Sequence, residues 1–207
     1  MEWIPHQPPD HVLAKEGQKP RRVFVDIGSG TFPAAFSGNR SFNDNDYYVG
    51  VDSRRREIDR SISEDYPTKN TENVGRLGEN IFFLEHNIHV GKLPFADSSV
   101  DEVILANVLG DDSIIQYRYF LREAYRILKS GGTFVVIETV TPQAARYLNY
   151  ELNSNEAMYD LFKQTDFEVI KEIKPTDPDF NAELSKYNQH YFRHIEGKEF
   201  IIYLRKK

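Results

Sequence analysis

The chain has no cysteine among its 207 residues, and it has only two methionines and one tryptophan. The lack of cysteine excludes disulfide bonds, thiolate metal sites and cysteine nucleophiles, and it suits a reducing cytosol. No segment approaches the roughly 18 apolar residues that a membrane helix needs, and the N-terminus has no signal-peptide pattern. We therefore expect a cytoplasmic protein with no membrane partner.

Positive charge is also in short supply. The 26 lysines and arginines are outnumbered by 32 aspartates and glutamates, which gives a formal net charge of −6. Broad binding to nucleic acid depends on positive charge that neutralises phosphates, so a nucleic-acid partner is disfavoured. We expect a small-molecule partner, and a protein partner stays open as the alternative.

Strand patterns alternate with helical patterns through most of the chain. Residues 1–20 contain four prolines and are predicted to form an extended arm, which precedes a single domain at 21–207. Apolar runs predict strands at 23–27, 47–52, 81–85, 100–106, 133–139, 167–173 and 200–204. Helices are predicted at 31–36, 53–64, 114–128 and 142–164, the last in two pieces. This alternation predicts an α/β fold with a largely parallel sheet and helices on both faces.

The most informative segment is VFVDIGSG at 23–30. An apolar run leads to Asp26, and the predicted strand 23–27 then breaks into a turn with Gly28 and Gly30. Glycines permit a positive φ and a close approach of the backbone to a ligand, and the helix predicted next would direct its N-terminus at that ligand. Asp52 ends the second strand, where an acid can accept hydrogen bonds from ribose hydroxyls. The segment therefore predicts a nucleotide-like ligand at the carboxyl edge of the sheet.

Two residues favour an adenosyl ligand over a dinucleotide. A dinucleotide fingerprint has a third glycine, and Pro33 occupies that position. Asp26 would repel a pyrophosphate but would attract a sulfonium or an ammonium group. An NAD-dependent oxidoreductase is therefore disfavoured.

Five segments, in order and at the right spacing, resemble the class I S-adenosylmethionine-dependent methyltransferases, and especially their ubiquinone-biosynthesis-type, methyltransferase-11-like branch of small-molecule enzymes. The segments are VDIGSG at 25–30, GVD at 50–52, NI at 87–88, LPFADSSVD at 93–101 and REAYRILKSGG at 122–132. The resemblance covers residues 21–206. It implies a Rossmann-like, doubly wound fold with a seven-stranded sheet and an antiparallel last strand, and S-adenosyl-L-methionine as cofactor.

The resemblance also implies roles for individual residues in holding that cofactor. The methionyl part would lie against the backbone of Gly28, Ser29 and Gly30, and Asp26 would help to fix its amino group. Asp52 would bind the ribose hydroxyls. The adenine would be lined by Ser53 or Arg54, and it would be contacted by Asn87 through its side-chain carbonyl and by Ile88 through its backbone N–H. Asn107 would lie under the reactive methyl group.

The sequence departs from the family pattern at two positions. Phe32 stands where a third glycine is common, and Asn87 replaces the usual aspartate. These departures, and the lack of an obvious base, motivate an alternative hypothesis: a catalytically silent methyltransferase-like domain that serves as a binding partner or scaffold. Asp111 is the candidate base, whereas Asp112 is interpreted as a helix cap.

No metal site is expected from the sequence. His190 and His194 are four residues apart and could share one face of a helix, but no carboxylate pattern accompanies them. Acceptor specificity is expected to come from the N-terminal arm and from residues 175–197. The aromatic residues of the latter could cover an apolar acceptor or belong to the core; they are Phe180, Tyr187, Tyr191 and Phe192.

Overall fold

A computed structural model of the chain describes residues 22–29, 46–53, 81–87, 92–109, 117–140, 155–187 and 198–207. These residues contain strands β1 (Val23–Ile27), β2 (Tyr47–Asp52), β3 (Ile81–Glu85), β4 (Val100–Ala106), β5 (Leu128–Val140), β6 (Phe167–Ile173) and β7 (Lys198–Lys206). They also contain helices α1 (Tyr117–Ile127), α2 (Asn155–Lys163) and α3 (Phe180–Leu184). The predicted arm at 1–20 and the helices predicted at 31–36 and beyond Ser53 lie outside the described residues.

The seven strands form one sheet in the order β3-β2-β1-β4-β5-β7-β6. The first five strands are parallel to one another, and β7 lies between β5 and β6, antiparallel to both. The predicted α/β sheet with an antiparallel last strand is confirmed. Because β1 has β2 on one side and β4 on the other, the strand order reverses at β1. In such sheets ligands bind in the crevice at this reversal, beyond the carboxyl ends of the strands.

Side chains alternate between two apolar cores, one on each face of the sheet. On one face, Val25 and Ile27 of β1 belong to a large core that also contains apolar residues of α1 and α2. On the other face, Phe24 and Tyr48 belong to a smaller core that includes Phe180 of α3. We call these the α1–α2 face and the α3 face. The prediction of helices on both faces is confirmed by the described helices.

Two boundaries differ from the sequence prediction around Leu128. The apolar spacing predicts a helix through Leu128 and a strand from 133, but α1 ends at Ile127 and β5 begins at Leu128. Leu128 pairs with Val100, the next pair is Glu102 with Thr133, and the register shifts between them. Gly131 within this bulge has a φ of 77°. Leu128 is therefore the first residue of a strand, and helical spacing alone cannot distinguish this position from the last turn of a helix.

Helix α3 is a second difference, because residues 175–197 were expected only as a long connection. Phe180, Leu184 and Tyr187 are all less than 10% exposed and belong to the core on the α3 face. Of the two uses suggested for Phe180 and Tyr187, the structure supports core packing. Tyr191 and Phe192 lie outside the described residues. None of the helices in the described part of the chain is both long and apolar enough to cross a membrane.

Candidate functional site

Several of the residues predicted to bind the cofactor meet at the carboxyl edge of four adjacent strands. The β1 turn begins at Gly28, β2 ends at Asp52, β3 is followed by Asn87, and β4 is followed by Asn107. The register sets these ends side by side, since Ile27 is paired with Val51 of β2 and with Leu105 of β4. The site predicted from separate sequence segments is therefore one contiguous edge at the reversal of strand order.

The turn after β1 is fixed by its own backbone. Gly28 has a φ of 71°, a conformation that favours glycine. The N–H groups of Gly28 and Ser29 both donate to the carbonyl of Val51, at 2.7 and 3.2 Å. These two N–H groups are therefore engaged within the sheet, and the groups left to meet a ligand are carbonyl oxygens and the Ser29 hydroxyl.

The Ser29 hydroxyl is the one site oxygen that is buried without being hydrogen-bonded to any described residue. Ser29 is 6% exposed, and its Oγ has no partner in the described part of the chain. A buried polar atom left unsatisfied costs free energy, so native proteins rarely keep one unless something binds it. The hydroxyl can accept from an ammonium group or donate to a carboxylate, and both groups belong to the amino-acid end of S-adenosyl-L-methionine.

Asp26 lies one residue inside the strand, on the α3 face. It is 3% exposed, and its Oδ2 accepts a short hydrogen bond from the hydroxyl of Tyr48. Tyr48 is itself buried on the neighbouring strand β2. The sequence prediction did not include Tyr48 as a partner for Asp26. The signal that would have found Tyr48 is its place on β2: it lies two residues before Gly50, and Gly50 pairs with Asp26.

The end of β2 provides a second buried acid. Asp52 is 3% exposed, and its carbonyl accepts the N–H of His86 at 2.9 Å, which ties the β3 end to the β2 end. Ser53 and Asn87 are exposed beside it. One buried carboxylate with two exposed polar side chains is a suitable arrangement for a ribose and the polar edge of a base.

The loop after β4 lies beside the β1 turn. Asn107 has a φ of 53° and donates its N–H to the carbonyl of Ile137 at 2.8 Å. Val108 follows, and its Cγ2 lies 2.5 Å from the position that a Cβ on Gly28 would occupy. The β1 turn and the β4 loop therefore touch at a point where only glycine fits.

A third buried acid, Glu138 of β5, was missed from the sequence. It is 1% exposed, and its Oε1 accepts the N–H groups of Val108 at 2.8 Å and of Leu109 at 2.7 Å. The signal was available, because VVIE at 135–138 repeats the pattern of VFVD at 23–26, an apolar run followed by an acid.

Two of the segments that carry the family resemblance bind each other. Arg126 of α1 donates to the carbonyls of Leu93 at 2.9 Å and Phe95 at 2.7 Å, and to Asp97 at 2.7 Å. Glu123 accepts the N–H of Leu93 at 2.8 Å and pairs with Arg126 at 2.8 Å. These residues hold the connection between β3 and β4 against α1, so their chemistry is structural.

The charges of this network shift the ionisation of its members. Burial by itself raises the pKa of Glu123, but the hydrogen bonds from Arg126 and from the Leu93 N–H outweigh it, so the pKa lies below its ordinary value. The hydrogen bond with Glu123 raises the pKa of Arg126. The pair is therefore ionised throughout the neutral range.

Several predicted residues lie outside the described part of the chain. They are Phe32, Pro33, Arg54, Asp112, the histidines His190 and His194, the cofactor residues Gly30 and Ile88, and the candidate base Asp111. Among the residues that are described, no three histidine, aspartate or glutamate side chains are grouped so that they could hold a metal ion.

The chain is similar to known methyltransferases in sequence. A model of the ubiE/COQ5 methyltransferase family matches residues 9–164. Over 97 residues the chain is 34% identical to the ubiquinone/menaquinone biosynthesis C-methyltransferase UbiE of Bradyrhizobium sp. strain BTAi1. That match covers 47% of this chain but only 32% of the relative, so the chain spans about a third of the length of that relative.

Solved structures show the same fold at lower identity. An S-adenosylmethionine-dependent methyltransferase from Methanosarcina mazei is 15% identical with a TM-score of 0.58, and the match covers 98% of this chain and 99% of that one. The [4+2]-cyclase SpnF is 17% identical with a TM-score of 0.61, over 89% of this chain and 75% of that one. Because one of these proteins is described as a cyclase, the likeness establishes the fold and leaves the reaction to the site.

Proposed function

The chain belongs to the ubiE/COQ5 methyltransferase family, whose cofactor is S-adenosyl-L-methionine, and from this premise we propose that it transfers a methyl group from that cofactor to a small-molecule acceptor. The observation that carries the proposal is the carboxyl edge of the sheet at β1, where Asp26, Ser29 and Asp52 are all buried at the reversal of strand order. Of the three, the Ser29 hydroxyl is buried without a partner among the described residues, an energetic cost that a bound polar group would offset.

The described residues suit the two ends of the cofactor. At the amino-acid end, Asp26 offers a carboxylate, Ser29 offers an unsatisfied hydroxyl, and Gly28 brings its carbonyl close because it has no side chain. These groups are acceptors, which is what an ammonium group needs. We propose this end for the methionyl part, with Gly30 as a further contact of the cofactor.

At the nucleoside end, we propose that Asp52 accepts both ribose hydroxyls. Ser53 and Asn87, which are exposed beside it, would line the adenine together with Ile88. The Asn87 side chain can accept from the adenine amino group through its carbonyl, but it lacks the charge of an aspartate, so this contact is expected to be weaker than a charged one. Asn107 would lie under the methyl group.

The chemistry asks little of the side chains beyond alignment. When it is bound, the cofactor supplies a methyl group attached to a positively charged sulfur. The acceptor gains this methyl group and gives up a proton, and the sulfur leaves as a neutral thioether. The protein aligns the acceptor in line with the carbon–sulfur bond and excludes water. We propose Asp111, just beyond the β4 loop, as the candidate group to take the proton.

A small-molecule acceptor is favoured by the charge of the chain. A net charge of −6 disfavours RNA or DNA as acceptor, whereas a protein acceptor is the second possibility to be tested. A cytoplasmic location is part of the same proposal, which is supported by a chain without cysteine. The competing hypothesis, a domain that binds without catalysing, is motivated by Asn87.

Calorimetry with S-adenosylhomocysteine tests the cofactor site. Wild-type protein should bind, and Asp52→Asn should bind about 10- to 100-fold more weakly, because a charged hydrogen-bond acceptor is lost. Asp46→Asn is the matched control: Asp46 is also a buried acid, but it precedes the other end of β2, where it pairs with Arg22 at 2.6 Å. Its affinity should equal that of the wild type.

The outcomes separate the hypotheses. No binding by the wild type at millimolar ligand would overturn the proposal. Equal weakening by both variants would show that Asp52 is not at the site. If S-adenosyl-L-methionine binds but no S-adenosylhomocysteine forms with any acceptor in a panel of small molecules and proteins, the silent binding domain is the better hypothesis.

A further inference from the structure

The side chain of Glu138 links β5 to the loop after β4, which packs against the β1 turn. Its carboxylate is 1% exposed, and a single oxygen, Oε1, accepts two consecutive backbone N–H groups, those of Val108 and Leu109. Burying a carboxylate is costly unless hydrogen bonds compensate for lost water. Two bonds of 2.8 and 2.7 Å do this, and they fix the direction of both peptide groups.

The loop needs such fixing because its backbone is unusual. Asn107 has a φ of 53°, a left-handed conformation that is unfavourable for most residues. Its N–H donates to the carbonyl of Ile137, the residue before Glu138, at 2.8 Å. The end of β5 therefore accepts three successive N–H groups of the loop, and Glu138 accounts for two of them.

The position of the loop reaches the β1 turn through Val108. The Val108 side chain occupies the space beside Gly28, where a Cβ would come within 2.5 Å of its Cγ2. Valine is stiff about χ1, so Val108 can move relative to Gly28 only if its backbone moves. The contacts therefore run from Glu138 to Val108 and from Val108 to the turn that carries Ser29.

We propose that Glu138 is a positioning residue of the cofactor site: it holds the loop 107–109 so that Val108 packs against the β1 turn. The proposal rests on the proposed function, and it adds a residue that acts through the loop without touching the ligand. A residue that served stability alone would leave the affinity of the folded protein unchanged.

The test compares three variants at a temperature where each is fully folded by circular dichroism. Glu138→Leu removes the acceptor and leaves two buried N–H groups unsatisfied, so S-adenosylhomocysteine should bind about fivefold or more weakly. Glu138→Gln keeps a carbonyl oxygen in the same place and should recover most of that affinity. Glu183→Leu is the control: Glu183 is a largely buried acid on α3 that accepts the hydroxyl of Tyr203, and its loss should leave the affinity unchanged.

Hydrogen exchange gives a readout that does not need the cofactor. In Glu138→Leu the amides of Val108 and Leu109 should exchange about 10- to 100-fold faster than in the wild type, because each loses a bond to a charged acceptor. The same amides should be unaffected in Glu183→Leu.

Each result has one meaning. If the wild type binds S-adenosylhomocysteine and Glu138→Leu binds equally well, the positioning role is wrong and the proposed function stands. If the wild type does not bind, the proposed function fails, and the exchange experiment still decides whether Glu138 orders the loop. Unchanged exchange at Val108 and Leu109 would overturn the inference on its own.

Discussion

Substituting Gly28 by alanine tests whether the close contact between the β1 turn and the β4 loop requires glycine at this position. Two separate penalties are expected. The backbone of Gly28 has a φ of 71°, where a residue with a Cβ is strained. The new Cβ would also lie 2.5 Å from Val108 Cγ2, closer than any stable carbon–carbon contact. The first penalty arises within the β1 turn, and the second arises from the contact between the β1 turn and the β4 loop.

The sizes of the two penalties can be estimated separately. A left-handed conformation costs a non-glycine residue about 1–2 kcal/mol. Overpacking against a stiff, buried side chain costs about 1–3 kcal/mol. Gly28→Ala should therefore lower the free energy of unfolding by about 2–5 kcal/mol, which corresponds to about 2–4 °C in Tm for each kcal/mol in a protein of this size.

The chain offers a matched control at Gly131. It has a φ of 77°, and a Cβ there would have no described atom within 4 Å. Gly131→Ala should therefore show the conformational penalty alone, about 1–2 kcal/mol. The measurement is urea unfolding of the two variants followed by circular dichroism.

A double-mutant cycle isolates the contact between the turn and the loop. Val108→Ala removes both methyl groups, and the remaining Val108 Cβ is 3.6 Å from the place that the alanine Cβ at position 28 would take, an ordinary contact distance. Gly28→Ala should cost about 1–3 kcal/mol less in the Val108→Ala background than in the wild type. A coupling energy of zero, or equal losses at Gly28 and Gly131, would refute the reasoning.

Three further predictions concern the charged networks. Arg126→Met should lower the free energy of unfolding, measured in urea, by about 2–4 kcal/mol, because it leaves buried Glu123 unpaired. Arg126→Lys should recover only part of the lost stability. A loss near zero in Arg126→Met would contradict the prediction. The pKa of Glu123 is lowered in the folded protein, so the ionised Glu123 side chain stabilises the fold fully at a pH above its ordinary pKa of 4.5. This stabilisation is lost as the pH falls through the folded-state pKa. Glu123→Gln should therefore flatten the acid side of the stability profile, and an unchanged slope would count against this assignment. Tyr203→Phe should lower the unfolding free energy by about 1–2 kcal/mol, because the hydroxyl donates to Glu183 at 2.5 Å, and an unaltered Tm would rule out that contribution.

The strands were predictable from the sequence because their cause is local. Apolar β-branched runs such as 23–27 and 100–106 can be buried on both faces only in a covered sheet, and both appear as strands with those bounds. The glycine at position 28 was predictable for the same reason, since a tight turn after a buried strand requires a positive φ. In each case a few neighbouring residues contain the whole signal.

The helix end at Ile127 was not predictable in this way. Leu128 has helical spacing with Leu121 and Ala124, but its backbone pairs with Val100, which is distant in the chain. The helix α3 was missed because its burial depends on the α3 face of the sheet, which exists only after the strands have assembled. Tertiary contacts override a short local pattern in both cases.

By itself the sequence determined where the acids of the carboxyl edge lie: Asp26 and Asp52 were recognised because each follows an apolar run. Only the tertiary structure decided what those ends do. It gave Asp26 the hydroxyl of Tyr48, engaged the N–H groups of Gly28 and Ser29 within the sheet, and joined Glu138 to the loop that packs on the turn. The physical reason is that burial pattern is a property of consecutive residues, whereas hydrogen-bond partners come from strands far apart in sequence that the sheet brings side by side.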